Sequence, residues 1–131
     1  MNQMRTAWRR AVDAVPGPGP DGACPSLADL LALVGPDADA STWTCDEVEC
    51  AGPAADDLRR AAAAGPISGT QLAKLAAGIT RTQDGLFEAT RPGEDRPWLA
   101  LRAVAGSNFI VATRGRDLLD RFRRRFQDEV R

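Results

Sequence analysis

"RPWLALRAVAGSNFIVATRG", residues 96–115, decides how this chain folds. Two apolar runs of strand length, 97–105 and 109–114, flank Gly106-Ser107-Asn108. A connection this short makes the pair antiparallel. If Ala105 to Asn108 forms the tight turn, Val104 faces Phe109 and Arg102 faces Val111. One face then carries Trp98, Ala100, Arg102, Val104, Phe109, Val111 and Thr113. The other carries Leu99, Leu101, Ala103, Ile110 and Ala112. Both faces are apolar, whereas a sheet wetted on one side alternates more cleanly. Helices are therefore expected on both faces, or one face is a contact surface.

Arg102 stands within this apolar pair and needs a partner or a route to water. Three roles are open to it. Its stem can lie on Trp98 with the guanidinium in solvent. It can pair with Glu88 in the preceding strand as a buried ion pair. Or it can anchor a ligand or partner.

Upstream, residues 79–90, "ITRTQDGLFEAT", offer a further strand. Asp84-Gly85 is either a hairpin turn or the lead-in to a strand at 86–90. Together these segments form a meander at 80–114. Earlier, "STWTCDEVEC" places Trp43, Cys45, Val48 and Cys50 at strand spacing. The alternation slips between Cys45 and Val48, which predicts a bulge or a bend.

Helix signals surround the strands. Ser26 and Asp29 have the spacing of a capping box ahead of Leu27, Leu30, Leu31 and Val34, and Gly35-Pro36 ends that helix. Pro53 to about Ala64 reads as a helix with Asp56 and Asp57 near its positive end. Ser68 with Gln71 starts another, stapled by Ile67 and Leu72 and ending near Ala77. The closing stretch repeats Leu118, Phe122, Phe126 and Val130 at helical spacing. At the N-terminus Met4, Trp8, Val12 and Val15 form a narrow stripe on a helix over about 2–14. "PGPGPDGACP" then breaks the chain.

The predicted organisation is an N-terminal helix (1–15), a Pro/Gly linker (16–25) and a single α+β domain (26–131). The element order is α-α-β-α-α-β-β-β-α, with about four antiparallel strands and helices packed on them. The N-terminal helix either covers the second sheet face or serves a partner.

The 131 residues suffice for one domain. No apolar run approaches the roughly 18 residues of a membrane span, and the N-terminus lacks a clean signal core. The expected location is cytoplasmic. Sixteen arginines against Lys74 alone, with many alanines, read as the codon bias of a GC-rich bacterial genome.

Composition excludes several chemistries. With no histidine and no tyrosine, no Ser-His or Cys-His nucleophile and no phenolic acid exists within the chain. There is no phosphate-cradling glycine loop. Cys24, Cys45 and Cys50 have no disulfide or zinc spacing, and inert thiols are the expected state. No cofactor and no metal is expected.

Charge is divided. Residues 1–65 hold five arginines against ten acids, and residues 66–131 hold twelve basic residues against eight acids. Asp46, Glu47, Glu49, Asp56 and Asp57 form the acidic concentration, with Asp37 and Asp39 nearby. They can meet a basic protein, bind a divalent cation, activate water, or simply deter strand-edge pairing. Trp43 among them is either a hot-spot aromatic or a core residue. In the closing helix Arg121, Arg124 and Arg125 resemble phosphate contacts, but interspersed acids and a net charge of −1 disfavour nucleic acid.

The favoured reading is a non-enzymatic cytosolic protein-binding module of bacterial type. It fits an immunity- or antitoxin-like inhibitor, or a chaperone-like partner, and can homodimerise. The alternatives are a small-ligand or metal-dependent enzyme using the acids at 46–57, and nucleic-acid contact through the closing helix.

Overall fold

A computed structural model describes residues 12–15, 25–104 and 108–127. The fold is α+β. Six antiparallel strands are β1 (Val12–Val15), β2 (Thr42–Ala51), β3 (Ile67–Ser68), β4 (Arg81–Thr90), β5 (Leu99–Val104) and β6 (Asn108–Thr113). They lie in the order β1-β6-β5-β4-β2-β3. The four longer strands are those expected, and β1 and β3 add short edges. Five helices accompany them: α1 (Leu27–Val34), α2 (Pro36–Ala40), α3 (Ala55–Ala64), α4 (Gly69–Ala76) and α5 (Arg116–Phe122). A π-helical turn, Arg123–Gln127, continues α5.

Local chemistry explains the helix starts. Ser26 and Asp29 form the reciprocal capping box, with Asp29 N donating to Ser26 Oγ at 3.0 Å. Gln71 N donates to Ser68 Oγ at 3.1 Å in the same manner. Gly35-Pro36 ends α1 as expected, and a separate short helix follows at once. Gly35 has φ +85, and Pro36 opens the short α2 at its first turn, where its missing N–H costs nothing.

In the N-terminal region, residues 2–11 of the expected first helix lie outside the described residues, as do 16–24 of the linker. Val12–Val15 is a strand rather than a helix end. It pairs with β6 from Val12↔Ala112 to Val15↔Phe109.

In β4 the chain runs straight through Asp84-Gly85, so no hairpin turn occurs there. Gly85 is instead a bare spot on which the Phe87 ring lies, 3.1 Å from where a Cβ would stand. Opposite it β2 bulges between Asp46 and Glu49, as the slipped alternation predicts. Cys45 and Val48, three apart, both turn inward.

The β5–β6 pair is one residue out of the expected register. Val104 pairs with Asn108 and Arg102 with Ile110. Ala105-Gly106-Ser107 spans the gap, one residue fewer than expected. Because side chains alternate, that slip exchanges the β6 faces. Leu99, Leu101 and Ala103 now share a face with Phe109, Val111 and Thr113, all buried. Trp98 also belongs to this side.

That face holds the main core. Trp43, Phe87, Leu99, Leu101 and Val111 of the sheet meet Leu27, Leu30, Leu58, Leu72, Leu118 and Phe122 of the helices. Every described helix longer than one turn and a half packs here. Among the described residues the opposite face carries a small cluster of Ala100, Ala112 and Leu86. Among the described residues no helix is long and apolar enough to cross a membrane.

Candidate functional site

Two tryptophans fix the short helix α2 against the sheet. Trp43 Nε1 donates to the Ala38 carbonyl at 3.0 Å, and Trp98 Nε1 donates to Ser41 Oγ at 2.9 Å. Ser41 Oγ in turn donates to the Asp37 carbonyl at 2.8 Å. Trp43 is 0 % exposed, so it is a core residue and not a surface hot spot. Its indole fills the core while its one donor caps a helix carbonyl, which is how a buried tryptophan is satisfied.

The acids separate into two groups. Asp56 and Asp57 lie in the first turn of α3 and are taken by their own helix. Arg59 approaches Asp56 at 2.7 Å and Arg60 approaches Asp57 at 2.8 Å. Arg59 also donates to the Cys50 carbonyl at 3.2 Å, tying α3 to β2.

Asp46, Glu47 and Glu49 belong to the bulged end of β2. All three are exposed. Glu47 has φ 54, the left-handed region that side-chain-bearing residues seldom occupy. Glu49 stands directly across from Asp84 of β4. Among the described residues Asp46, Glu47 and Glu49 form no ion pair. Beyond Thr42 and Trp43, which pair with β3, this side of β2 has no described strand neighbour. The result is an acidic, open strand edge carried by a rigid sheet.

Arg102 lies on the sheet face opposite the helices, in the row Asp46, Leu86, Arg102, Ile110. It is exposed, and its guanidinium joins none of the ion pairs above. Glu88 occupies the neighbouring row on the same face and is half-buried, diagonal to Arg102. Trp98 does not supply a bed for the Arg102 stem, because its indole turns to Ser41 and its ring carries the Arg91 guanidinium at 4.1 Å.

The closing helix distributes its arginines unevenly. Arg121 is committed to structure: its Nη1 donates to the Leu33 carbonyl at 2.7 Å and the Val34 carbonyl at 3.3 Å. It thereby closes the C-terminus of α1, where carbonyls lack partners. Arg123 lies 3.9 Å from Asp120. Arg124 and Arg125 are exposed. The chain thus does not gather Arg121, Arg124 and Arg125 into one phosphate site.

Cys45 and Cys50 lack the setting of a nucleophile. Burial pushes the Cys45 thiol up to about 12, and Asp46 adds to the shift. Burial raises Cys50 as well, against the lowering effect of Arg59. Cys24 lies outside the described residues. Among the described residues no group of three Cys, Asp or Glu is placed to hold a metal ion. A shallow cleft of about 390 Å³ opens between α1, α2 and α4, and Asp39 is its only charged lining residue. It brings no pair of catalytic groups together.

No known protein family, curated protein or solved structure matches this chain.

Proposed function

We propose that this chain is a non-enzymatic, cytosolic protein-binding module of bacterial type whose contact surface is the acidic bulged edge of β2. Asp46, Glu47 and Glu49 meet basic side chains of a partner protein there. One contrast carries the reading. The acids of α3 are matched by Arg59 and Arg60, while these three are exposed and form no ion pair among the described residues. The open edge can also accept main-chain hydrogen bonds, so an extended basic segment of the partner fits both features. Complementary charge of this kind speeds encounter and excludes wrong partners. An immunity- or antitoxin-like inhibitor, or a chaperone-like partner, would use such a surface.

Holding Glu47 in the left-handed region costs roughly 1 kcal/mol. Glycine would occupy the position without that cost, so a carboxylate at the apex of the bulge supports a role in contact.

Comparative affinity capture from the source cells tests the reading, using the native chain and Asp46→Lys/Glu49→Lys. The account expects a basic protein held by the native chain, released by salt, and lost from the variant at equal melting temperature. Identical capture by both chains would overturn it. So would a rise in melting temperature with magnesium or manganese that Glu49→Gln abolishes, which would favour the enzyme alternative.

A further inference from the structure

Independently of the β2 edge, the end of α1 carries an incomplete cap. A helix leaves its last four carbonyls without helical partners. In α1 these belong to Leu31, Ala32, Leu33 and Val34. Gly35 N donates to the Leu31 carbonyl at 3.1 Å. Arg121 donates to the Leu33 carbonyl at 2.7 Å and to the Val34 carbonyl at 3.3 Å. The Ala32 carbonyl receives no donor among the described residues. The residue four positions on is Pro36, which has no N–H to give.

This carbonyl belongs to the cleft between α1, α2 and α4. Helical carbonyls point along the axis toward the C-terminus. Here that is toward Gly35 and Pro36, which line the cleft of about 390 Å³ together with Ala32. Asp39 lines it from α2, exposed and in no ion pair among the described residues. Ala28, Leu31 and Ala73 supply an apolar lining. Lys74 follows Ala73 on α4 but does not line the cleft. The negative pole of α1 and the Asp39 carboxylate thus bear on one small, otherwise apolar space.

We propose that this cleft receives the side chain of an arginine presented by a partner protein. Its methylene stem lies on Ala28, Leu31 and Ala73, and its guanidinium is shared between the Ala32 carbonyl and Asp39. Arg121 is the precedent within the chain, a guanidinium that already closes part of this same helix end. Gly35 stands between the two places: a Cβ there would lie 3.9 Å from Arg121 Nη1, and Gly35 also lines the cleft. The planar fork of a guanidinium can meet a carbonyl and a carboxylate at once, whereas an ammonium is a compact, strongly hydrated point charge. The volume is at the low end for a ligand site, which suits one side chain rather than a helix.

The probe is Nα-acetyl-arginine amide, an arginine without its terminal charges. Titrated into the native chain, it should shift the backbone amides of 28–35, 39 and 73 saturably, with a Kd of about a millimolar. The uncharged citrulline analogue should not bind. Asp39→Asn should weaken binding about fivefold. Ala32→Phe, at an exposed position, should fill the cleft and abolish binding. No saturable shift at these amides, equal binding of the citrulline analogue, or unchanged binding by Asp39→Asn would overturn the proposal. Free arginine binding about tenfold tighter than the amide would assign the cleft to the amino acid itself and overturn it too. Shifts confined to 46–49 would place the cation at the β2 edge instead, with the same result. Cleft binding retained by Asp46→Lys/Glu49→Lys would support it and show that the two sites stand or fall separately.

Discussion

Trp98 Nε1 and Ser41 Oγ are joined by a 2.9 Å hydrogen bond across 57 residues of sequence. Around it a second layer closes. Thr113 Oγ1 donates to the Trp98 carbonyl at 2.8 Å, and Gly115 N donates to Thr113 Oγ1 at 3.1 Å. One buried relay thus links the start of β5, the end of β6, the entry to α5 and the end of α2. Ser41→Ala leaves the indole N–H buried without an acceptor. It should cost about 1–3 kcal/mol, measured as a lowered urea midpoint with unchanged slope.

Gly69 opens α4 directly under α2. A Cβ there would stand 1.9 Å from the Ala38 carbonyl and 2.7 Å from the Asp39 backbone. Backbone cannot swing aside as a side chain can. Gly69→Ala should therefore destabilise by about 3 kcal/mol, although alanine is the better helix former. Gain or neutrality in thermal unfolding would contradict the packing of α2 on α4.

Arg121 and Arg124 should behave oppositely. Arg121→Met removes two bonds to α1 carbonyls and should cost about 1–2 kcal/mol. Arg124→Gln should leave stability within about 0.5 kcal/mol. If retention on heparin instead fell equally for both variants at equal stability, the helix would be reading phosphate after all.

Cys45 ties stability to alkaline pH. Its folded value of about 12 lies above the unfolded 9.0, so the native state holds the thiol protonated. This contribution is complete below pH 9 and is lost as pH rises from 9 toward 12. It amounts to several kcal/mol, on the order of 4 at about 1.4 per unit. Alkaline unfolding should shift upward in Cys45→Val relative to native protein. Iodoacetamide at pH 8 should label Cys45 only after unfolding.

Much of the architecture was legible because it is written locally. The caps at Ser26 and Ser68 need only a hydroxyl and a residue three positions on. The bulge in β2 shows as an odd spacing between Cys45 and Val48. The β5–β6 register was not legible, because apolar residues fill both faces and either alignment buries methyl groups. Asp84-Gly85 has the composition of a turn, but its glycine answers to the Phe87 ring, a neighbour on the same strand face. The acids at 46–57 look alike in sequence. Only the helix geometry that gives Asp56 and Asp57 their arginines divides them. Trp43 reads as anchor or as core until α2 is seen beneath its indole N–H. Arg121 reads as a phosphate contact until α1 ends against it.

Glu47 separates folding from contact. Glu47→Gly relieves the left-handed strain but adds chain entropy to the unfolded state, so stability should move by less than about 1 kcal/mol. Partner retention should nonetheless weaken in a salt-sensitive way. A large loss of stability would mean that Glu47 serves the bulge itself.

The most direct test is hydrogen exchange on the native chain with and without its co-purifying basic partner. The account predicts new protection at amides 46–49 of β2 and 84–86 of β4, fading as salt is raised. Protection confined to 121–127 of the closing helix, or to the cleft beside Asp39, with 46–49 unchanged, would contradict it.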